Sequence, residues 1–242
     1  MAALVRVVLI DPSHPGNIGS VARAMKNMAL ADLTLVRPRS FPHAESSALA
    51  AGADDVLAAA RVVDTVAEAI ADCSFIAGTT SRPRTYHWEF ATARDAAQRI
   101  VALGDDTRAA LLFGSERYGL GTEDLNYCNL LVRIPANPEY CSLNLAMSVQ
   151  LLAYELFVAR ARPQSHVQLE QPLATSADIE RLYAHLKQVL EEIEFDDRTG
   201  YLMERLRRLF NRAQLDQNEL NILRGILSAV QGRHSRQRRG RA

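Results

Sequence analysis

The amino-acid sequence predicts an α/β domain on a largely parallel sheet, followed by a small helical domain. Three observations carry this. Short apolar runs rich in β-branched residues alternate with helical patterns through the first two thirds of the 242 residues. A polar stretch over 164–172, marked by Pro163 and Pro172, interrupts the pattern. Beyond it the strand signal disappears and only amphipathic helical spacing remains.

The elements follow in order. Residues 4–10 form an apolar run broken only by Arg6, which reads as a buried strand. Residues 18–29 place Ile18, Val21, Ala22, Met25 and Met28 on one helical face, with Ser20, Arg23 and Asn27 on the opposite stripe. Residues 33–36, 74–78, 109–113 and 130–134 read as further strands, and 66–71 and 92–103 as helices between them. Residues 143–160 form a long helix with few polar interruptions, chiefly Ser148, Gln150 and Glu155. A helix apolar on nearly all sides must be covered all round, by its own core or by a partner subunit. Ser142 stands where it can cap this helix. Helices over 177–193, 201–212 and 219–230 complete the chain, the last opened by Asp216 and Glu219 at capping-box spacing. The expected division is a first domain over 1–162, a linker over 163–174, a helical extension over 175–232 and a basic tail over 233–242.

Composition excludes several classes. No run of roughly 18 apolar residues occurs, so no membrane span or membrane partner is expected, and the opening segment lacks a signal-peptide layout. Cys73, Cys128 and Cys141 are odd in number and lack C-x-x-C spacing, which fits reduced cytoplasmic thiols and no metal site. Net charge is +0, so the chain is not coated in positive charge. Lys26 and Lys187 are its only lysines; almost all cationic side chains are arginines, a bias that codon usage explains as readily as phosphate recognition. The tail carries Arg233, Arg236, Arg238, Arg239 and Arg241 with no acid, either a solvated end or an RNA-contacting arm.

Four segments, each directly after a strand, carry possible chemistry. DPSHPGNIGSVARAMKNM (11–28) opens a helix, so its backbone N–H groups favour an anion, and Arg23 stands beside that start. It is neither a G-x-G-x-x-G fingerprint nor a Walker loop. LLFGSERYGLGTED (111–124) sets three glycines around Glu116 and Arg117, letting backbone approach a ligand closely. IPANPEYCSLNL (134–145) is punctuated by prolines, with Asn144 unexpected on an otherwise apolar helix. GTTSRPR (78–84) alone reads as surface. In a parallel sheet all four would lie on one edge, where ligands bind.

NIGSVARAMKNM, FGSERYGL and IPANPEYCSLNL together, in this order and spacing, resemble the SPOUT (SpoU–TrmD) methyltransferases, and among them the TrmJ-type tRNA 2′-O-methyltransferases. The resemblance covers roughly residues 1–160 and extends into the C-terminal helices. It implies a trefoil-knot domain, which base rates alone would reject. It also implies a cytoplasmic homodimer packed through helices that include 143–160, with tRNA and no DNA as partner.

The implied cofactor is S-adenosyl-L-methionine, held by Thr79, Thr80, Ser81, Gly114, Ile134, Cys141, Ser142 and Leu143. The implied reaction is methylation of the ribose 2′-hydroxyl at nucleotide 32 of the anticodon loop. Arg23, Asn17, Glu116, Ser142 and Asn144 match the family's functional positions, and Arg23 is the residue proposed to activate the hydroxyl. A guanidinium titrates above about 12 and rarely accepts a proton, so Arg23 is better read as gripping a substrate phosphate. The helical extension and arginine tail are expected to strengthen tRNA binding. Alternatives are a ribosomal-RNA enzyme of the same fold, a non-catalytic RNA-binding relative, and an unrelated nucleotide-binding α/β protein.

Overall fold

The structure, a computed structural model, describes residues 4–81, 88–104, 107–161, 171–195, 197 and 200–239, with side chains as far as Gly232. The first domain is a seven-stranded sheet in the order β3-β2-β1-β6-β4-β7-β5. Its strands are β1 (Leu4–Ile10), β2 (Asp32–Val36), β3 (Arg61–Val63), β4 (Phe75–Thr79), β5 (Phe90–Thr92), β6 (Arg108–Phe113) and β7 (Leu130–Arg133). All six strand pairings are parallel.

Continuous apolar runs form the central strands because both faces are covered. Val7 and Leu9 point to one face, where they pack with α1 (Pro15–Asn27), α5 (Ala93–Ala102) and α7 (Leu145–Arg160). Val8 and Ile10 point to the other, with α4 (Val66–Ile70) and α6 (Thr122–Leu125). On α1, Ile18, Val21, Ala22 and Met25 are fully buried and Arg23 is exposed, as the helical spacing predicts. Gly19 lets α1 meet α2 (Ala44–Ala50): a Cβ there would stand 2.1 Å from the Ser46 carbonyl oxygen.

Two short strands, β3 and β5, escaped the sequence reading, as did α2, α3 (Asp54–Ala58) and α6. Each strand has three residues, too few to display an alternation. Helix α1 begins at Pro15, earlier than the expected 18, because proline suits a first helical position. The cap of α7 also needs correction. Its N-cap is Asn144, whose side chain accepts from the N–H groups of Ala146 and Met147; Ser142 lies outside the helix.

Arg6, the one charge in β1, is buried between Asp32 at 3.0 Å and Asp72 at 2.6 Å, with Arg108 2.9 Å from Asp72. Stripping both acids would leave a buried cation uncompensated. The apolar reading of β1 therefore survives one arginine because two carboxylates wait at its flank.

Beyond the sheet, α8 (Ser176–Glu192), α9 (Leu202–Ala213) and α10 (Gln217–Arg239) surround a small core of Ala174, Leu182, Leu215 and Leu220. Thr175 and Asp178 form a capping box on α8, and Asp216 and Glu219 exchange the expected pair of bonds at α10. These helices dock at the edge where the strands begin: Ser176 N–H donates to the Cys73 carbonyl at 2.7 Å, and the Asn129 amide donates to the Asn211 carbonyl at 2.8 Å. Helix α10 runs through 239, into the segment read as a tail. The linker over 163–174 lies outside the described residues except at 171–174, where Leu173 bridges to Asp216.

Candidate active site

Strands β1, β6, β4 and β7 are consecutive neighbours in the sheet, although the chain visits them far apart. The four loops singled out in the sequence follow these four strands. They therefore emerge side by side along one edge, the place where open parallel sheets bind ligands.

Glu116, in the loop after β6, reaches the loop after β1. Its carboxylate accepts from Ser13 N–H at 2.9 Å, Ser13 Oγ at 2.8 Å, His14 N–H at 3.2 Å and Asn17 Nδ2 at 2.9 Å. The anion-friendly start of α1 is thus filled by a carboxylate of the chain itself. Asn17 Oδ1 in turn accepts from Asn144 Nδ2 at 3.0 Å, at the head of α7. A three-residue chain, Glu116–Asn17–Asn144, clasps the segments after β1, β6 and β7. Burial pushes the Glu116 carboxyl up, but the donors from Asn17 and Ser13 outweigh it and hold the group at about 2. It stays ionised at any working pH, as a clasp and not as a proton shuttle.

Beside the clasp lies an open cleft of about 790 Å3, counted out to its mouth and including solvent. Thr79, Thr80, Ser81, Gly114, Ile134, Cys141, Ser142 and Leu143, the eight residues expected at the cofactor, all line it. Glu116 lines it as well. Gly114 is obligatory in the loop after β6: a Cβ there would fall 2.0 Å from the Gly119 carbonyl carbon and 2.2 Å from the Leu120 amide nitrogen. The same loop turns back through Gly119, whose φ of 66° suits glycine, on a Gly119 N–H bond of 2.8 Å to the Ser115 carbonyl. Thr79 is partly committed, its hydroxyl donating to the Leu112 carbonyl at 3.0 Å.

Of the catalytic candidates, Glu116 and Ser142 stand on the cleft wall, while Asn17 and Asn144 form its clasp. Arg23 does not line the cleft; it is exposed on α1, six residues beyond Asn17 and so roughly 9 Å further along the helix axis. Arg82 and Arg84 of the fourth loop lie outside the described residues. Leu120, Tyr118 and Ser148, which also line the cleft, were missed by sequence reasoning. Leu120 and Tyr118 sit inside the FGSERYGL segment and could have been included; Ser148 is one helical turn after Asn144, a spacing that signals the same face.

Comparison with known proteins places this geometry. Residues 4–154 match the model of the SpoU rRNA Methylase family, and residues 177–240 match that of the tRNA methyltransferase TrmJ, C-terminal domain. The tRNA (cytidine/uridine-2′-O-)-methyltransferase TrmJ of Escherichia coli K12 is 47% identical over 233 residues, 94% of this chain and 95% of that protein. A crystal structure of TrmJ from Z. mobilis ZM4 superposes with a TM-score of 0.83 at 36% identity, covering 95% of this chain and all of the other. A structure described as giving insight into 2-OH methylation of C/U34 on tRNA has a TM-score of 0.51 at 27% identity, over 64% of this chain and 95% of that one.

Proposed function

The chain belongs to the SpoU methylase family, and from that premise we propose that it transfers a methyl group from S-adenosylmethionine to the ribose 2′-hydroxyl of nucleotide 32 in the tRNA anticodon loop. The observation that carries this reading is the joining of three strand-end loops, after β4, β6 and β7, into one cleft to which the loop after β1 is clasped through Glu116, with every expected cofactor position on its wall. Substrate class follows from the relatives: the TrmJ enzyme of E. coli is alike over both parts of the chain, and its C-terminal domain has a counterpart here.

The residues present suit the cofactor. Gly114 lets the loop after β6 fold back on itself beside the cleft, and Ile134, Leu143 and Leu120 give apolar walls for a purine beside the hydroxyls of Thr80, Ser81 and Ser142. When bound, S-adenosylmethionine supplies an electrophilic methyl group on sulfur. Glu116, Asn17 and Asn144 fix the loops that enclose it, so that little reorganisation is left for the transfer itself. Arg23 holds a backbone phosphate of the RNA and aligns the 2′-oxygen, while the hydroxyl proton passes to that phosphate or to water.

Two copies of the chain form the working unit in this reading. Met147, Leu151, Tyr154 and Phe157 follow one another at helical spacing on α7, between 41% and 62% exposed, an apolar stripe that a second copy would cover. The knotted threading and a cytoplasmic location belong to the same reading. Among the described residues, no helix is long and apolar enough to cross a membrane.

Incubation with methyl-labelled cofactor and unmodified tRNA, followed by nuclease mapping, tests the proposal. Label on the ribose of nucleotide 32 is the expected result. Label at nucleotide 34 would transfer the reading to the specificity of the more distant relative, and label on a base would overturn it.

A further inference from the structure

A second pocket, open to solvent and of about 550 Å3 counted to its mouth, lies at the opposite edge of the sheet, where the C-terminal helices meet it. Its walls are Trp88, Cys128 and Asn129 from the first domain and Arg205, Arg208, Leu209 and Arg212 from α9, with Glu89 at the side. The α9 residues recur at i, i+3, i+4 and i+7, so they form one face of the helix. Glu89 is held by Arg99 at 2.5 Å, so the acid in the pocket already has a partner. Arg207, on another face of α9, is tied to Glu180 and lies over the Tyr183 ring.

The pocket is a built site. Buried Asn211 donates to the Asn126 carbonyl at 2.9 Å, its own carbonyl accepts from Asn129 at 2.8 Å, and its side chain accepts from Tyr183 Oη at 2.7 Å. Those bonds fix the rotation of α9 about its axis and aim the arginine face at Trp88. Asn129 and Ile134 bracket β7, so this pocket and the cleft stand roughly 16 Å apart along the strand.

We propose that this pocket grips a phosphodiester of the substrate RNA away from the methylated ribose, with Arg205, Arg208 and Arg212 as the phosphate ligands and Trp88 as an aromatic wall. The inference rests on the reading of the chain as an RNA methyltransferase and deepens it. Guanidinium groups on successive turns suit a row of phosphate oxygens, and an adjacent indole suits a base or ribose. An RNA held there is positioned but not activated, so the pocket governs binding and leaves the chemical step alone.

The test is the double variant Arg205→Gln with Arg212→Gln, both at exposed positions that leave no internal hole. Binding of a tRNA transcript by the full chain is followed by fluorescence anisotropy over a range of chloride concentrations, together with kcat and KM. The expected result is about a tenfold weaker Kd and higher KM, a salt slope shallower by about 0.7–1.4, and an unchanged kcat. The paired Arg→Lys variant should regain most of the salt slope. An unchanged Kd and slope would overturn the proposal, as would selective displacement of RNA by inorganic phosphate at matched ionic strength, which would mark a free-anion site. If the wild-type chain methylates tRNA yet binds it independently of the pocket, only this inference fails; if binding depends on the pocket but no methyl is transferred, only the catalytic reading fails.

Discussion

Replacing Asn17 by Asp changes one NH2 group to an oxygen with almost no change in shape. The altered atom faces Glu116 at 2.9 Å, while the acceptor for Asn144 is preserved. One charge-assisted hydrogen bond disappears, at a cost of about 1.5–3 kcal/mol. Two carboxylates would also face each other, a repulsion of about 4 kcal/mol in a surface-like dielectric.

The pair can escape by sharing one proton, which at pH 7 costs about 4 kcal/mol for a carboxyl of ordinary pKa near 3.9, and only about 1.5 kcal/mol at pH 5. The half-buried clasp is partly screened, so about 2–4 kcal/mol at pH 7 is the expected loss. Linkage fixes the sign. The variant's folded state binds more protons than its unfolded state, so its deficit shrinks as pH falls from 7 towards 5. In the wild type, Glu116 is depressed from its ordinary value to about 2, so its contribution is complete above about 4.5, fades as pH falls from there towards 2, and is lost below it. Urea unfolding of both proteins at pH 7 and pH 5 measures this. A deficit that is below about 1 kcal/mol, or independent of pH, would refute the clasp as described.

Three further outcomes are expected. Arg23→Lys keeps the charge but loses the two-pronged grip, so turnover at saturating RNA should fall at least about tenfold; near-full turnover would show that bidentate contact is not needed. Cys141 is exposed on the cleft wall whereas Cys73 and Cys128 are buried, and burial pushes both of those thiols up. Iodoacetamide followed by peptide mass spectrometry should therefore label Cys141 first, and S-adenosylhomocysteine should slow that labelling. Thr34 is fully buried and its hydroxyl has no hydrogen-bond partner among the described residues, so Thr34→Val should stabilise the chain by about 1 kcal/mol and raise Tm by about 2–4 °C in calorimetry.

The sheet was legible because its five longer strands are buried on both faces and so appear as mainly apolar runs, interrupted only singly, as by Arg6 in β1 and Thr34 in β2. β3 and β5 were not, since three residues cannot carry a period and their pairing is decided by neighbours remote in sequence. The residues of the cleft could be named from their motifs, and their convergence followed from each loop succeeding a parallel strand. What the sequence could not reveal was the joinery. Asn144 looked misplaced on an apolar helix until the fold set it at the N-cap, with its amide free to reach Asn17. Likewise nothing local to Glu116 says that its partners are Ser13, His14 and Asn17, about a hundred residues earlier. Residues 201–212 were legible only as an amphipathic helix; the arginine face of α9 and its opposite wall at Trp88 required the docked helices.

Hydrogen exchange with and without S-adenosylmethionine tests most directly whether the cleft at the ends of β4, β6 and β7 is where the methyl donor binds. Slowed exchange is expected in peptides covering Thr79–Ser81, Gly114–Leu120 and Ile134–Leu143, with the α9 segment unaffected. Protection centred on Arg205–Arg212, or none in the three loops, would contradict it.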